Sequence, residues 1–254
     1  MGEGGGQVLR SALALSVAAG RPFRMERIRA RRDVSGLRAQ HLAAVRAAAE
    51  VGRAHVEGAE KGSEEVVFRP RGLKPGRHRF STGTAGSATL VFQTVLPPLA
   101  LADGPSTLVM EGGIHNPHAP PYEFVAWSFL PLVERTGVGV EAELERPGFY
   151  PAGGGRFRAR IRPGGGLEPL LLEERGPETG RRARAVVSAL PRHIAERELS
   201  VAHAMLAMRP DALEVVEVPE EDAAGPGNAV MIEVAFRNVS GVFTGFGRRG
   251  TPAE

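Results

Sequence analysis

The 254-residue chain contains no cysteine. That absence excludes disulfides, thiolate-bound metals and cysteine nucleophiles together, and it fits a reducing, cytoplasmic setting. Lysine is nearly absent as well: Lys61 and Lys74 are the only two, so arginine carries almost all of the positive charge. No run of roughly 18 or more apolar residues occurs. The best one, Ala12 to Ala19, is short and follows a glycine cluster, which supports neither a membrane span nor a signal peptide. That cluster is not followed by GK[ST] and has no clear strand before it, so it is neither a Walker A loop nor a dinucleotide fingerprint. His115 and His118 lack metal-ligand spacing, and no zinc site is expected.

What is present is an ordinary globular composition, 42% hydrophobic and 24% charged, long enough to bury a core without staples. The charge is unevenly spread. Residues 1–80 hold 16 Lys and Arg against 8 Asp and Glu, whereas the remainder hold 16 against 21. Arginine presents a planar fork suited to phosphate, so the N-terminal third is the part expected to face a polyanion. A GC-rich coding bias would also replace lysine by arginine, but it would not produce the asymmetry.

The chain repeats itself. Residues 5–26 and 85–111 each begin with small residues, enter a helix-length apolar segment, break at a Gly near a Pro, and continue as a short strand. Each is followed by an amphipathic helix, Gly36 to Val51 and Pro121 to Thr136, and then by two strand-like runs: Arg53–Glu57 with Glu65–Arg69, and Val138–Leu144 with Gly155–Ile161. Residues 1–80 and 81–163 thus read as two copies of one helix-and-sheet unit, an α+β layer structure. A Gly/Pro-rich stretch from Pro163 and a charged run, Glu173 to Arg184, mark a boundary. Beyond it, Arg184–Ala189, Leu213–Val218, Ala229–Phe236 and Gly241–Phe246 read as strands and Pro191–Met208 as a helix, a smaller α/β unit.

Two polar clusters stand out. If a helix begins by Glu3, then Glu3, Gln7 and Arg10 share one face, joining a carboxylate, an amide and a guanidinium beside a glycine loop that favours an anion. The same spacing suits a solvated face. Arg29, Arg31, Arg32 and Arg38 lie ahead of a helix that carries Gln40 and His41, which suits phosphate recognition or a plain basic loop equally. Gln93 interrupts the apolar helix Ala88 to Leu99, as a satisfied amide or a ligand contact.

Taken together, the motifs resemble the RNA 3′-terminal phosphate cyclase family: GEGGGQ-x-L-R at Gly2–Arg10, IRA-x-R at Ile28–Arg32, QHL-x-AV at Gln40–Val45, G-x-AGS-x-TLV-x-QT-x-LP at Gly83–Pro97, GG-x-x-NP-x-APP at Gly112–Pro121 and GFYPAGGG at Gly148–Gly155. Pro191–Glu198 and the GPGN of Gly225–Asn228 continue the likeness. The resemblance implies a large domain of repeated two-helix, four-strand units over residues 1–173, including the start of a third repeat, and a small inserted α/β domain over 174–254. It implies an ATP-dependent ligase-class reaction, a nucleotidyl transfer. A histidine takes AMP from ATP, AMP passes to an RNA 3′-phosphate, and the 2′-OH displaces it to leave a 2′,3′-cyclic phosphodiester. On that likeness Glu3 looks like a carboxylate that holds Mg²⁺ or Mn²⁺, and Arg10, Arg29 and Arg32 like phosphate-binding arginines. Gln40 and His41 look like active-site polar groups, Gln93 like an ATP contact, and Pro120, Pro121 and Phe124 like nucleotide-pocket walls. RNA and ATP are the implied partners, with no membrane and with room for a homodimer.

The chain departs from the family pattern in one respect that matters for chemistry. The nucleophile's S-x-H-x-x-T-N motif and the H-L-A-D-Q helix before it do not occur, and none of the seven histidines stands in that context. The chain reads as a shortened family member that does not form histidine-AMP unless another chain supplies the missing part. The alternative class is a non-catalytic RNA-binding relative, against which the retention of Glu3, Arg32 and His41 argues. An enolpyruvyl transferase shares related architecture but not these motifs.

Overall fold

The computed structural model describes residues 5–248 and 250. Helix α1 (Gly6–Ala19) follows Gly5 and buries Leu9, Leu13 and Val17, one apolar residue per turn. Gly20 ends it in the left-handed region at φ 64°, and the Arg21 N–H returns to the Ser16 carbonyl, closing the last turn. Because α1 starts at Gly6, the helical spacing drawn from Glu3 does not apply, and Glu3 itself lies outside the described residues. Strand β1 (Phe23–Met25), helix α2 (Ala39–Val51) and strands β2 (His55–Glu57) and β3 (Val66–Arg69) complete the first unit. Helix α2 begins three residues later than its apolar pattern suggests. Gly36 sits at φ 72° with the Gly62 carbonyl where a side-chain carbon would be, at 2.2 Å, so that stretch is held as a turn.

The second unit repeats the order. Helix α3 (Ala88–Ala100), strand β5 (Ser106–Gly112), a helix over 122–134 and strands β6 (Gly139–Arg146) and β7 (Gly155–Arg162) follow in turn, preceded by β4 (Gly76–Ser81). The first sheet runs β1-β3-β2 and the second β4-β5-β7-β6, so β1, β3, β2 correspond to β5, β7, β6 in order and in antiparallel pairing. The two sheets therefore share one strand order over these three strands. Strand β4 pairs in parallel with β5, so it completes the second sheet although it begins before residue 81. The first sheet has three strands among the described residues, where the family resemblance implied four. Helix α3, buried nearly all round, packs on both α1 and α2, and one core unites the two units, with Phe92 edge-on to Phe157 at 5.5 Å.

The third sheet, ordered β11-β10-β8-β9, is built from β8 (Glu178–Ser188), β9 (Leu213–Val218), β10 (Gly227–Phe236) and β11 (Ser240–Phe246), with helix α6 (His193–Leu206) between β8 and β9. Alternation divides β8: Ala183, Ala185 and Val187 face α6, while Val186 joins Phe149, Ala229 and Met231 in the cluster that abuts the second unit. Strand β8 starts six residues before its apolar pattern. Its charged N-terminal half is exposed, yet β10 is long enough to pair with it back to Glu178.

The helix over 122–134 joins this sheet to the second unit. It has π geometry at Val125–Phe129, between α4 (Tyr122–Phe124) and α5 (Leu130–Glu134). There Trp127 lies under the guanidinium groups of Arg182, at 4.0 Å, and Arg184, at 5.0 Å. Below it Glu123, fully buried, accepts from His115 at 2.9 Å and from Arg184 at 3.4 Å, and Arg184 also reaches Glu214. Burial alone pushes the Glu123 carboxyl up, but the His115 hydrogen bond and charge, with Arg184, hold it below the ordinary carboxylate range.

Among the described residues no helix is long and apolar enough to cross a membrane.

Candidate functional site

The first turns of α1 and α2 meet. A side-chain carbon at Gly6 would lie 2.4 Å from His41 Nε2 and 3.1 Å from Arg10 Nη1, so glycine is needed for the two helices to come this close. The Val8 and Leu9 N–H groups turn back to the Gly5 carbonyl, while those of Gly6 and Gln7 have no acceptor among the described residues. Arg10 is only 8% exposed. Its Nη2 donates to Gln7 Oε1 at 2.8 Å, while its Nε is buried with no hydrogen-bond partner among the described residues. A buried guanidinium with an unused donor, beside a helix N-terminus, is built to receive an anion.

His41 adds a neutral donor. The Arg38 N–H donates to its Nδ1 at 3.2 Å, which puts the proton of the neutral ring on Nε2, toward Gly6. Burial first, then the charges of Arg29, Arg10 and Arg38, bring the imidazole down to about 4. Arg29 stands at φ 57° and donates to the Val34 carbonyl at 2.7 Å, folding the loop back so that its charge faces the cluster. Burial, with Arg38 and Arg32 nearby, lowers its own value, and burial lowers that of Arg10. The arginine loop and the two helix starts thus gather positive charge at one place.

A stability prediction follows from His41. Its folded value lies below that of a free imidazole, so the unfolded chain binds the extra proton first as pH falls. The stability conferred by a neutral His41 is present above about pH 6.5 and lost as pH falls toward 4. Urea midpoints are expected to drop between pH 7 and pH 4.5, and His41→Gln is expected to flatten part of that drop.

Gln40 faces the other way. Its Oε1 accepts from the Ser87 N–H at 3.0 Å, tying α2 to the start of α3. A cleft of about 740 Å³ opens here, lined by Gln40, the 84–87 loop, the 116–119 loop, Tyr150 and Pro151. The α3 N-terminus itself is spent: Ser87 Oγ caps Leu90, and the Gly86 and Ala88 N–H groups bond Thr84 Oγ1 and the Gly113 carbonyl. Gln93 lies exposed on α3, one turn beyond Thr89, whose hydroxyl donates to the Pro120 carbonyl at 2.7 Å. Pro121 is buried and Phe124 is 37% exposed. None of Gln93, Pro120, Pro121 and Phe124 is among the residues lining the cleft.

The structure therefore brings Arg10, Arg29 and His41 together, with Gln40 on the wall they share with the cleft. Arg32, exposed in the same loop, bonds through its N–H to the Arg29 carbonyl. Arg38 belongs to the cluster through its charge on His41 and its backbone bond to it. Of the cleft-lining residues, Asn116 and Tyr150 fall on defined positions of the family-like motifs and Thr84 does not, but nothing local marks the three loops as meeting, which happens only in the fold.

A family model described as RNA 3'-terminal phosphate cyclase matches residues 1–230. The chain belongs to the RNA 3′-terminal phosphate cyclase family. The protein of that name from Koribacter versatilis is 49% identical over 253 residues, covering 100% of this chain and 71% of its own length. The one from Ralstonia nicotianae is 49% identical over 254 residues, covering 100% and 72%, and the one from Pseudomonas fluorescens 49% over 251 residues, covering 99% and 72%. The metal carboxylate suggested for this cyclase-family chain, Glu3, lies outside the described residues. Among those residues no group of three or more His, Asp or Glu is placed to hold an ion.

Proposed function

We propose that the cluster of Arg10, Arg29, Arg32, Arg38 and His41 binds the 3′-terminal phosphate of an RNA. In this reading the chain serves the ATP-dependent conversion of that phosphate to a 2′,3′-cyclic phosphodiester, through enzyme-AMP and RNA-adenylate intermediates. The observation that carries the reading is the buried Arg10, whose Nε has no partner among the described residues, set against the first N–H groups of α1 and the Nε2–H of His41. In the closing step the 2′-oxygen attacks the 3′-phosphorus, the bond to AMP breaks, and AMP leaves while the 2′-OH proton passes to solvent. Charge builds on the phosphoryl oxygens during that step, and fixed arginines with a neutral imidazole donor stabilise it without reorganising. Because His41 is neutral and its Nδ1 is occupied, it acts as a hydrogen-bond donor rather than as a proton acceptor.

A divalent cation, when bound, would add positive charge at the same oxygens. The described residues supply no ligand set for one.

The adenylylation step is the one these residues do not support, since no histidine stands in the nucleophile's motif. Two incubations separate the halves of the proposal. With α-³²P-ATP, no acid-labile, stoichiometric protein adduct is expected; finding one overturns the impairment. With an RNA already carrying AMP on its 3′-phosphate, release of AMP and a 2′,3′-cyclic end is expected. Failure of that reaction, together with binding indifferent to the 3′-phosphate, would favour an RNA-binding relative without catalysis.

A further inference from the structure

The cleft beside Gln40 has an aromatic side chain that nothing in the fold uses. Tyr150 is 70% exposed, and among the described residues it has no ring contact and no side-chain hydrogen bond. An exposed tyrosine is unremarkable on a loose loop, but this one is anchored on both flanks, at Gly148 and Phe149 before it and at Gly153 after it. The Phe149 ring next to it is buried and stacks on His115 at 5.1 Å. The same ring fills the space above Gly227, where a side-chain carbon would lie 2.0 Å away. The Gly153 N–H bonds the Phe149 carbonyl at 2.6 Å, and the Ile114 and His115 N–H groups both bond the Gly148 carbonyl. Gly153 touches the 84–85 backbone so closely that a side-chain carbon would sit 3.0 Å from Ala85 Cα. Tyr150 is thus an unengaged aromatic ring held in place at the rim of a 740 Å³ cleft whose Gln40 wall adjoins the arginine cluster.

We propose that Tyr150 is a stacking platform for a nucleobase whose phosphate is held by the arginine cluster. The inference rests on the phosphate site proposed above and names what lies next to it. A nucleotide anchored by phosphate at His41 extends past Gln40 into the cleft, whose lining mixes amide, hydroxyl and ring groups. Proteins hold unpaired bases by laying them on aromatic side chains, and every base offers such a face. The base belongs either to the last RNA nucleotide or to ATP; the chemistry is shared and the experiment separates them.

Two probes are titrated into the full chain: a 3′-phosphorylated RNA oligonucleotide ending in 2-aminopurine, and 2-aminopurine riboside triphosphate. Stacking quenches the fluorescence. Quenching is expected with the unaltered protein and with Tyr150→Phe, and is expected to vanish in Tyr150→Leu with roughly ten-fold weaker binding. The melting temperature should stay nearly unchanged, because the side chain is 70% exposed and makes no hydrogen bond among the described residues. Loss in the oligonucleotide experiment assigns the platform to RNA, and loss in the triphosphate experiment assigns it to ATP. Unchanged quenching and affinity with both probes in Tyr150→Leu overturn the stacking role and leave the phosphate site intact. If the unaltered protein binds neither probe, the phosphate site fails and the platform with it.

Discussion

Replacing Arg10 by methionine is expected to weaken binding of a 3′-phosphorylated oligonucleotide by on the order of 100-fold or more, while the ligand-free protein becomes more stable. The two halves share one cause. Arg10 is 8% exposed, its Nε has no acceptor among the described residues, and burial lowers its proton affinity. Charges buried without good partners cost stability, and an apolar side chain of similar length removes the cost, a gain of about 1 kcal/mol or more. A bound phosphate reverses the balance by supplying the missing acceptor in a dry site, where losing one partner of a charge-assisted pair costs about 2–5 kcal/mol. Stability against urea and affinity should therefore move in opposite directions. A loss of both together would mean that Arg10 holds the fold and does not wait for a ligand.

The largest effect on the fold is expected at Glu123. Its carboxylate is fully buried between His115 and Arg184, and Arg184 belongs to the third sheet while Glu123 and His115 belong to the second unit. Glu123→Ala would strand the buried His115 imidazole and take from Arg184 one of the two carboxylates it reaches, a loss of about 3–5 kcal/mol. Glu123→Gln should cost less, because the amide still accepts from one of them. The damage should appear first where the units join, and Trp127, the single tryptophan, reports on that place through its contact with Arg182 and Arg184. A shift in tryptophan emission ahead of global unfolding is the expected signature. Unfolding of the mutant in one step at the original midpoint would show that the buried triad contributes little.

Much of this was legible beforehand. Two helices and a short sheet recurring over the chain gave the repeat, because burying one helix face requires apolar residues at every turn and turns require glycine. Leu9, Leu13 and Val17 show the first requirement and Gly20 the second. The long N-terminal half of β8 was not legible: its residues are charged and exposed, and only pairing with β10 makes them a strand. Likewise the π turn at Val125–Phe129 leaves no trace in apolar spacing. At the site, residue type pointed to Arg10, Arg29 and His41, but the meeting of two helix starts across Gly6 depends on packing between distant segments. Tyr150 could be read as part of a motif, yet only the buried Phe149 beside it shows that its ring is held outward. The arginine surplus of the first 80 residues indicated a polyanion, whereas which arginines face one another came from the left-handed turn at Arg29.

The most direct measurement compares one RNA oligonucleotide with a 3′-phosphate and with a 3′-hydroxyl, binding to the unaltered protein and to Arg10→Met at a fixed salt concentration. The unaltered protein should prefer the phosphorylated end by on the order of 100-fold, and the variant should bind both ends alike. Equal affinity for the two ends in the unaltered protein would contradict the assignment of the arginine and histidine cluster as a terminal-phosphate site.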